Sequence, residues 1–227
     1  MKSFRNALIF FFLLSNTYLF AQIKFSAATD ISLLHNFDPQ QKFTVVGQTI
    51  LPQWHIDKKN TVYAWLTYHA NGKYENTLVA TAKSSATQPQ SISFTNQSAM
   101  RLRQISFGFK RYLIGSFDHL EKFNLYAAAG FGIMHGRASN NFSTYIDTAL
   151  YTGQYTVVHG AGDFKRLTFD ITGGVEFPVA YELFVYSEIR MYIPTTDYPS
   201  RYLMNSSHAP LLGSINLGIR IIFNSDP

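Results

Sequence analysis

Along most of the chain, apolar and polar residues alternate one for one. The clearest run is 166–177: Leu167, Phe169, Ile171, Gly173, Val175 and Phe177 fall on one parity, and Arg166, Thr168, Asp170, Thr172, Gly174 and Glu176 on the other. Successive side chains of a strand point to opposite faces, so this spacing predicts a strand with one apolar and one polar face; a helix would scatter the same residues around its circumference. The pattern recurs. In 211–223, Leu211, Ile215, Leu217, Ile219, Ile221 and Phe223 oppose Ser214, Asn216, Gly218 and Arg220. In 183–193, Leu183, Val185, Ile189 and Met191 oppose Phe184, Tyr186, Glu188, Arg190 and Tyr192. In 103–113, Ile105, Phe107 and Phe109 oppose Gln104, Ser106, Gly108 and Lys110, and 123–136 alternates likewise. Near the start, Phe25, Ala27, Ile31 and Leu33 oppose Lys24, Ser26, Asp30 and Ser32. Two less regular strands, about 42–54 and 61–69, bring the predicted number to about eight.

The connections predicted between these strands differ in length. Turn formers fill the short ones, Asp57-Lys58-Lys59-Asn60, Gly115-Ser116-Phe117-Asp118 and Pro178-Val179-Ala180-Tyr181. Long polar stretches cover 70–98, 137–163 and 194–210, and only the first such connection, around Phe37 to Gln40, is short. Short turns at one end and long loops at the other predict an all-β, antiparallel, up-and-down transmembrane barrel with short periplasmic turns and long extracellular loops. Within the loops, 144–150 and 154–159, rich in Tyr, Thr and Val, suggest a hairpin around Tyr151-Thr152-Gly153 that extends the barrel, and 73–83 suggests another.

A soluble lipocalin-like barrel alternates too, with its apolar face inward. Three features favour lipid. The apolar face carries no charge through the middle of the clear strands. The polar face is built from Gly, Ser, Thr, Asn and Tyr, which fit a narrow lumen, rather than the long Lys and Glu of soluble surfaces. The strands, at about 11–14 residues, are long enough to cross a bilayer at a tilt. Aromatics near the predicted strand ends (Trp54, Tyr63, Trp65, Tyr112, Phe117, Phe177, Tyr181, Tyr192 and Tyr198) suggest interfacial girdles.

Composition agrees. Aromatics are 16% of the 227 residues, with 20 Phe and 14 Tyr, and charged residues only 15%, against about a quarter in soluble domains. There is no cysteine, which excludes disulfides, thiolate metal sites, a cysteine nucleophile and a lipoprotein anchor. Residues 1–21 carry Lys2 and Arg5, then the apolar run 7–14 and a small residue at Ala21. This reads as a signal peptide, too short in its apolar part for a bilayer span, with 22–227 as the outer-membrane barrel domain. The formal charge of +5 then becomes 5 − 2 = +3, and the remaining cations form no basic stripe along the sequence, so nucleic acid is not an expected partner.

The ending Gly218-Ile219-Arg220-Ile221-Ile222-Phe223 resembles the last strand of outer-membrane barrels, whose terminal aromatic is read by the barrel assembly machinery; here Asn224-Ser225-Asp226-Pro227 follow it, a departure from the usual final position. Together with 105–110, 126–132 and Phe20-Ala21-Gln22, it is similar to small barrels of Bacteroidota-type envelopes, of the OmpA/OmpX type without a peptidoglycan-binding domain. The resemblance implies contact with outer-membrane lipid and lipopolysaccharide.

With the polar parity inward, the lumen receives Asp30, Asp170, Glu176 and Glu188 with Lys110, Arg190 and Arg220: Lys110, Glu176 and Arg220 toward the periplasmic end, Asp170, Glu188 and Arg190 nearer the middle. Charges in a narrow, poorly hydrated space must pair, which predicts a structural plug; a proton or ion path is the sharper alternative. His35, His69, His135, His159 and His208 are expected near the outer rim, without HxH, HExxH or His-x-Ser spacing, so no metal, cofactor or catalytic centre is expected. Asp147-Thr148-Ala149 resembles the three-residue O-glycosylation signal of Bacteroidota secreted proteins, with Thr148 as acceptor. The expected function is non-enzymatic: binding an envelope protein or extracellular ligand through the loops 70–98 and 137–163, or serving as an accessory subunit. A narrow pore, a lipid-modifying barrel enzyme and a soluble periplasmic binder are the alternatives.

Overall fold

The computed structural model describes residues 24–153, 157–196, 200–204 and 211–223. The segments read as signal peptide and C-terminal extension, together with Tyr198, His208 and 154–156 of the suggested hairpin, lie outside the described residues. Among the described residues nine strands form: β1 (Lys24–Asn36), β2 (Phe43–His55), β3 (Asn60–Ala82), β4 (Ser91–Ile114), β5 (Asn124–Phe142), β6 (Tyr151–Gly153), β7 (Gly160–Pro178), β8 (Leu183–Pro194) and β9 (Leu212–Phe223). Each long strand pairs antiparallel with its neighbours in sequence, β5 passing to β7 across the short β6. The β1–β9 pairing, with Phe25 opposite Phe223, closes the ring at eight strands. Closure removes the unpaired edges that hydrocarbon does not tolerate. The chain is thus an up-and-down β-barrel.

Burial follows the parity of the sequence. In β9, Leu212, Ser214, Asn216, Arg220 and Ile222 are buried, while Ile215, Leu217, Ile219, Ile221 and Phe223 are exposed. The exposed set continues around the barrel through Ile31, Leu33, Val46, Ile50, Leu66, Ile105, Phe107, Phe131, Ile133, Leu167, Ile171 and Ile189. This is the inverse of a soluble barrel: the apolar wall faces outward and the polar groups inward. On β4, Arg111 and Arg103 bracket the outward run Phe109, Phe107 and Ile105. At ~3.4 Å per residue the two arginines stand about 27 Å apart along the strand, and about 19 Å along the barrel axis at a tilt of ~45°.

Strand lengths divide the barrel. β1, β2, β8 and β9 have 12–13 residues, whereas β3, β4, β5 and β7 have 19–24. The polar stretch 70–98 is therefore mostly strand. Across a register shift between His69 and Gly72, β3 and β4 stay paired out to Thr81 and Ser91, and only 83–90 is loop. Likewise β5 continues through Phe142 and β7 begins at Gly160, inside the stretch 137–163. Polarity reads as loop there because these strands have left the apolar belt, where alternation loses its driving force; the hairpin extension suggested at 73–83 is present as the outer part of β3 paired with β4. The extension suggested for 144–159 also takes another form. Tyr151-Thr152-Gly153 is strand rather than turn, and it pairs with Ala80 to Ala82 of β3. Beneath it, Leu78, Ala80, Phe94, Ile146, Tyr151 and Val157 form a small apolar core of their own.

At the opposite end the turns are tight. Asp57 accepts from the Asn60 side chain at 2.7 Å and from the backbone amides of Lys59 and Asn60 at 2.7 and 2.8 Å, bonds that hold its carboxyl below the usual range. The end defined by these turns also holds both ends of the described chain, Lys24 and Phe223.

Candidate functional site

Two groups of inward side chains fill the lower and middle barrel. Nearer the tight turns, β4 contributes Lys110 and Tyr112, β7 Glu176 and β9 Arg220. Lys110 Nζ lies 2.5 Å from Glu176 Oε1, and Arg220 Nη2 donates to Glu176 Oε2 at 2.9 Å and to the Phe117 carbonyl at 2.7 Å. The Tyr112 hydroxyl donates to Glu176 Oε2 at 3.0 Å. One carboxylate thus serves two cations and a phenol, all buried. Phe117 folds from the β4–β5 turn under this group, stacked on His55 with ring centroids 4.1 Å apart. His55 contacts Ser26 Oγ at 2.8 Å and Thr61 Oγ1 at 2.8 Å.

In the middle, Arg190 of β8 bonds Glu188 of the same strand and lies 3.9 Å from Asp30 of β1. Two residues apart, Glu188 and Arg190 share the inward face. Tyr126 donates to Glu188 at 2.8 Å, Asn216 to Glu188 at 2.9 Å, and Tyr186 to Asp30 at 3.0 Å. The Arg190 guanidinium sits 3.6 Å from the centre of the Trp65 ring, and Lys110 Nζ 3.6 Å from that of Tyr126, so each cation has an aromatic face as well as an anion. Asp170 is held differently, by Gln104 Nε2 at 2.9 Å and the Ser106 hydroxyl. Between the two groups the remaining space is about 20 Å³, lined by Gln53, Tyr63, Lys110, Glu188 and Arg190 among others; that is room for about one water molecule.

Above the charges the lumen turns apolar. Leu34, Phe43, Val45, Met100, Leu102, Phe164 and Leu212 point inward, and Leu203, from the segment between β8 and β9, is buried among them. The barrel interior is thus charged toward its turn end and mainly apolar toward its loop end, where His69, Asn96, Ser98 and Asn140 are buried as well. Close approach maintains this filling. A Cβ on Gly108 would come within 2.3 Å of the Tyr63 hydroxyl and 2.4 Å of the Ala129 carbonyl.

All seven charges singled out from the sequence, Asp30, Lys110, Asp170, Glu176, Glu188, Arg190 and Arg220, lie inside the barrel. An eighth, Arg166, is buried with them. It shares the parity of Asp170 at the head of the same alternating run, and that parity marks it. The aromatic girdle needs correction. Trp54, Phe177 and Tyr181 are exposed, but Tyr63, Trp65, Tyr112, Phe117 and Tyr192 are buried, where their rings fill space and those of Trp65, Tyr112 and Phe117 face cations. The histidines do not form one rim. His69 lies within the lumen, 3.3 Å from Ser32 Oγ; His35 bonds Thr44 at 2.7 Å; His135 and His159 are exposed. Among the described residues no group of three His, Asp or Glu is arranged to hold a metal ion. Thr148 is exposed, its carbonyl accepting from Lys83 Nζ at 2.7 Å.

The sequence matches no protein-family profile and no curated protein. Solved structures do resemble the fold. Neisserial surface protein A (NspA) aligns with a TM-score of 0.54 over 88% of this chain and 97% of its own, at 11% identity. Ail, the attachment invasion locus protein of Yersinia pestis, solved in complex with the heparin analogue sucrose octasulfate, aligns over 88% of this chain and 99% of its own, at 13% identity and a TM-score of 0.48. The outer membrane protein OprG from Pseudomonas aeruginosa gives 0.46 at 9% identity, over 88% of this chain and 96% of its own. At such identities the likeness is one of fold: a small antiparallel barrel of the kind found in outer-membrane proteins.

Proposed function

We propose that this chain resides in the outer membrane as a non-enzymatic barrel whose filled lumen is a structural plug, and that it works through the projection built by β3, β4, β5 and β7. The observation that carries the reading is the outward apolar wall around a filled interior. An exposed apolar belt of this extent in water would be an aggregation surface, whereas hydrocarbon matches it. A lumen with about 20 Å³ between its ionic groups disfavours a pore, and the paired, buried state of Glu176 and Glu188 disfavours their use as general acids or bases on a substrate. The projection, stiffened by its own apolar core and extended by β6, supports binding of an envelope protein or extracellular ligand.

The same proposal includes entry through a signal peptide over 1–21, recognition of the last strand around Phe223 by the assembly machinery, glycan attachment at Thr148, and an envelope of the Bacteroidota type. The decisive experiment compares boiled and unboiled samples of the outer-membrane fraction on a gel. A mobility shift on boiling supports a membrane barrel, and recovery in the soluble periplasm overturns it. Conductance in planar bilayers then separates plug from pore: a plugged barrel is silent, and stable single-channel steps would overturn the plug.

A further inference from the structure

Outward charges gather at the loop-end border of β4, β5 and β7; the other outward charges on the described strands are Arg111 at the turn end of β4 and Lys73 and Glu75 on the outer part of β3. On β1, β2, β8 and β9 the outward positions hold no Lys, Arg, Asp or Glu: β8 presents Leu183, Val185, Ser187, Ile189, Met191 and Ile193, and the other three strands are equally uncharged. On β4, β5 and β7 the apolar outward run ends in one register row, Ile105 opposite Ile133 opposite Leu167. The next outward row is Arg103 opposite His135 opposite Lys165, and the one beyond is Arg101 opposite Arg137 opposite Asp163. Arg103, His135, Arg137 and Lys165 are exposed and Arg101 is half-buried.

Direct cross-strand neighbours of like charge repel, and sheets avoid them. Here Arg101 faces Arg137 in the register, and Arg103 lies in a row with His135 and Lys165. Among the described residues the acid paired with this group is Asp163, 3.9 Å from Arg137 with both side chains more than half exposed. The Arg103 guanidinium lies 5.6 Å from the centre of the Tyr68 ring on β3. A depression of about 250 Å³ is lined by Arg101, Arg103, His135, Arg137 and Lys165 together with the Asp163 carboxylate, and a second of about 170 Å³ shares Arg101 and Arg137 and reaches Asn71 and Ser139. Each has room for a phosphate group.

We infer that this patch binds the phosphates of an anionic lipid in the outer leaflet, with the acyl chains lying against the row Ile105, Ile133 and Leu167. The position selects the ligand. The cations begin where the apolar wall stops, at the loop end of the barrel, which is where a bilayer's headgroups meet a membrane barrel. Three guanidiniums on two adjacent strands supply paired N–H donors of the geometry that suits phosphate. A phosphate between Arg101 and Arg137, and another near Arg103 and Lys165, removes the repulsion the register imposes. The inference rests on the outer-membrane reading above and adds a binding site to it.

The test uses the purified barrel in a zwitterionic detergent, titrated with bis-phosphorylated lipid A, with the same lipid dephosphorylated, and with inorganic phosphate. Binding is read by native mass spectrometry at two salt concentrations. The parent protein is expected to bind the phosphorylated lipid at least tenfold more tightly than the dephosphorylated one, with affinity falling as salt rises. The triple variant Arg101→Gln, Arg103→Gln and Arg137→Gln is expected to lose at least tenfold while keeping its mobility shift on boiling, and the turn variant Lys58→Gln with Lys59→Gln to lose nothing. Equal binding of both lipids, or unchanged binding by the triple variant, overturns the inference. So does competition by inorganic phosphate or a soluble sulfated polysaccharide at the lipid's own concentration, which would mark a general anion site. If the protein fractionates with the soluble periplasm yet still selects the phosphorylated lipid in detergent, the outer-membrane reading has failed and the anion chemistry has not.

Discussion

The barrel holds two populations of charge, and their contrast shows how environment sets the meaning of a residue. Inside, Asp30, Asp170, Glu176 and Glu188 share the lumen with Lys110, Arg166, Arg190 and Arg220, so that four acids balance four cations, all buried. Outside, Arg101, Arg103, Arg137, Lys165 and His135 crowd one border of the wall with Asp163 as their paired acid. A charge in a dry lumen is costly unless its partner is within the same chain, so the interior is balanced. At the wall's edge water and salt screen the excess, so the fold tolerates a positive surplus that a ligand can use.

The sharpest way to break this contrast is to strand a charge inside. Glu176→Ala leaves Lys110 and Arg220 facing each other without their shared anion, and is expected to lower folding stability by about 3–5 kcal/mol, measured by urea unfolding of the barrel in lipid bilayers. A loss below about 1 kcal/mol, the range of exposed pairs, would mean that water reaches the group and that the lumen is less dry than its packing indicates. Next in size is a test of the filling itself. Gly108→Val drives a side chain into the Tyr63 hydroxyl and the Ala129 carbonyl, an overpacking expected to cost about 1–3 kcal/mol in the same assay. No loss there would show that Tyr63 swings aside at little cost.

Replacing the set sharpens the comparison further. Lys110→Met, Glu176→Leu and Arg220→Met together remove the charges and their mutual attraction, and the triple variant is expected to unfold within about 1 kcal/mol of the parent. If it unfolds as easily as Glu176→Ala, the ion group contributes more than mutual neutralisation. The smallest effect belongs to the outer wall. Arg103→Gln in a zwitterionic detergent is expected to shift stability by less than about 0.5 kcal/mol, as exposed substitutions do. The same variant is expected to change the salt dependence of anionic lipid binding.

The half of each strand within the apolar belt was legible because an apolar outer face and a polar filling inside force strict alternation. The parity of 166–177 and 211–223 assigned Asp170, Glu176 and Arg220 to one face without further information. Where that force ends, so did legibility. In 70–82 and 91–98 only a few residues, Leu78, Ala80 and Phe94 among them, enter a small apolar core, so a mostly polar pattern reads as loop except for the hairpin suggested at 73–83. The aromatic rings misled for a related reason. Tyr63, Trp65 and Tyr192 are as suited to a headgroup region as to a lumen, and only their inward direction shows that they fill space beside Arg190.

By itself the sequence determined the all-β class, a ring of about eight strands, and which charged residues share the inward face. These follow from period-two patterning, a property of consecutive residues and the medium on either side. Only the tertiary structure decided which charges meet. Glu176 finds Lys110 and Arg220, and Arg101 faces Arg137, because of strand register and barrel closure. Those are relations between residues far apart in the chain, set by the summed hydrogen bonding and packing of all eight strands.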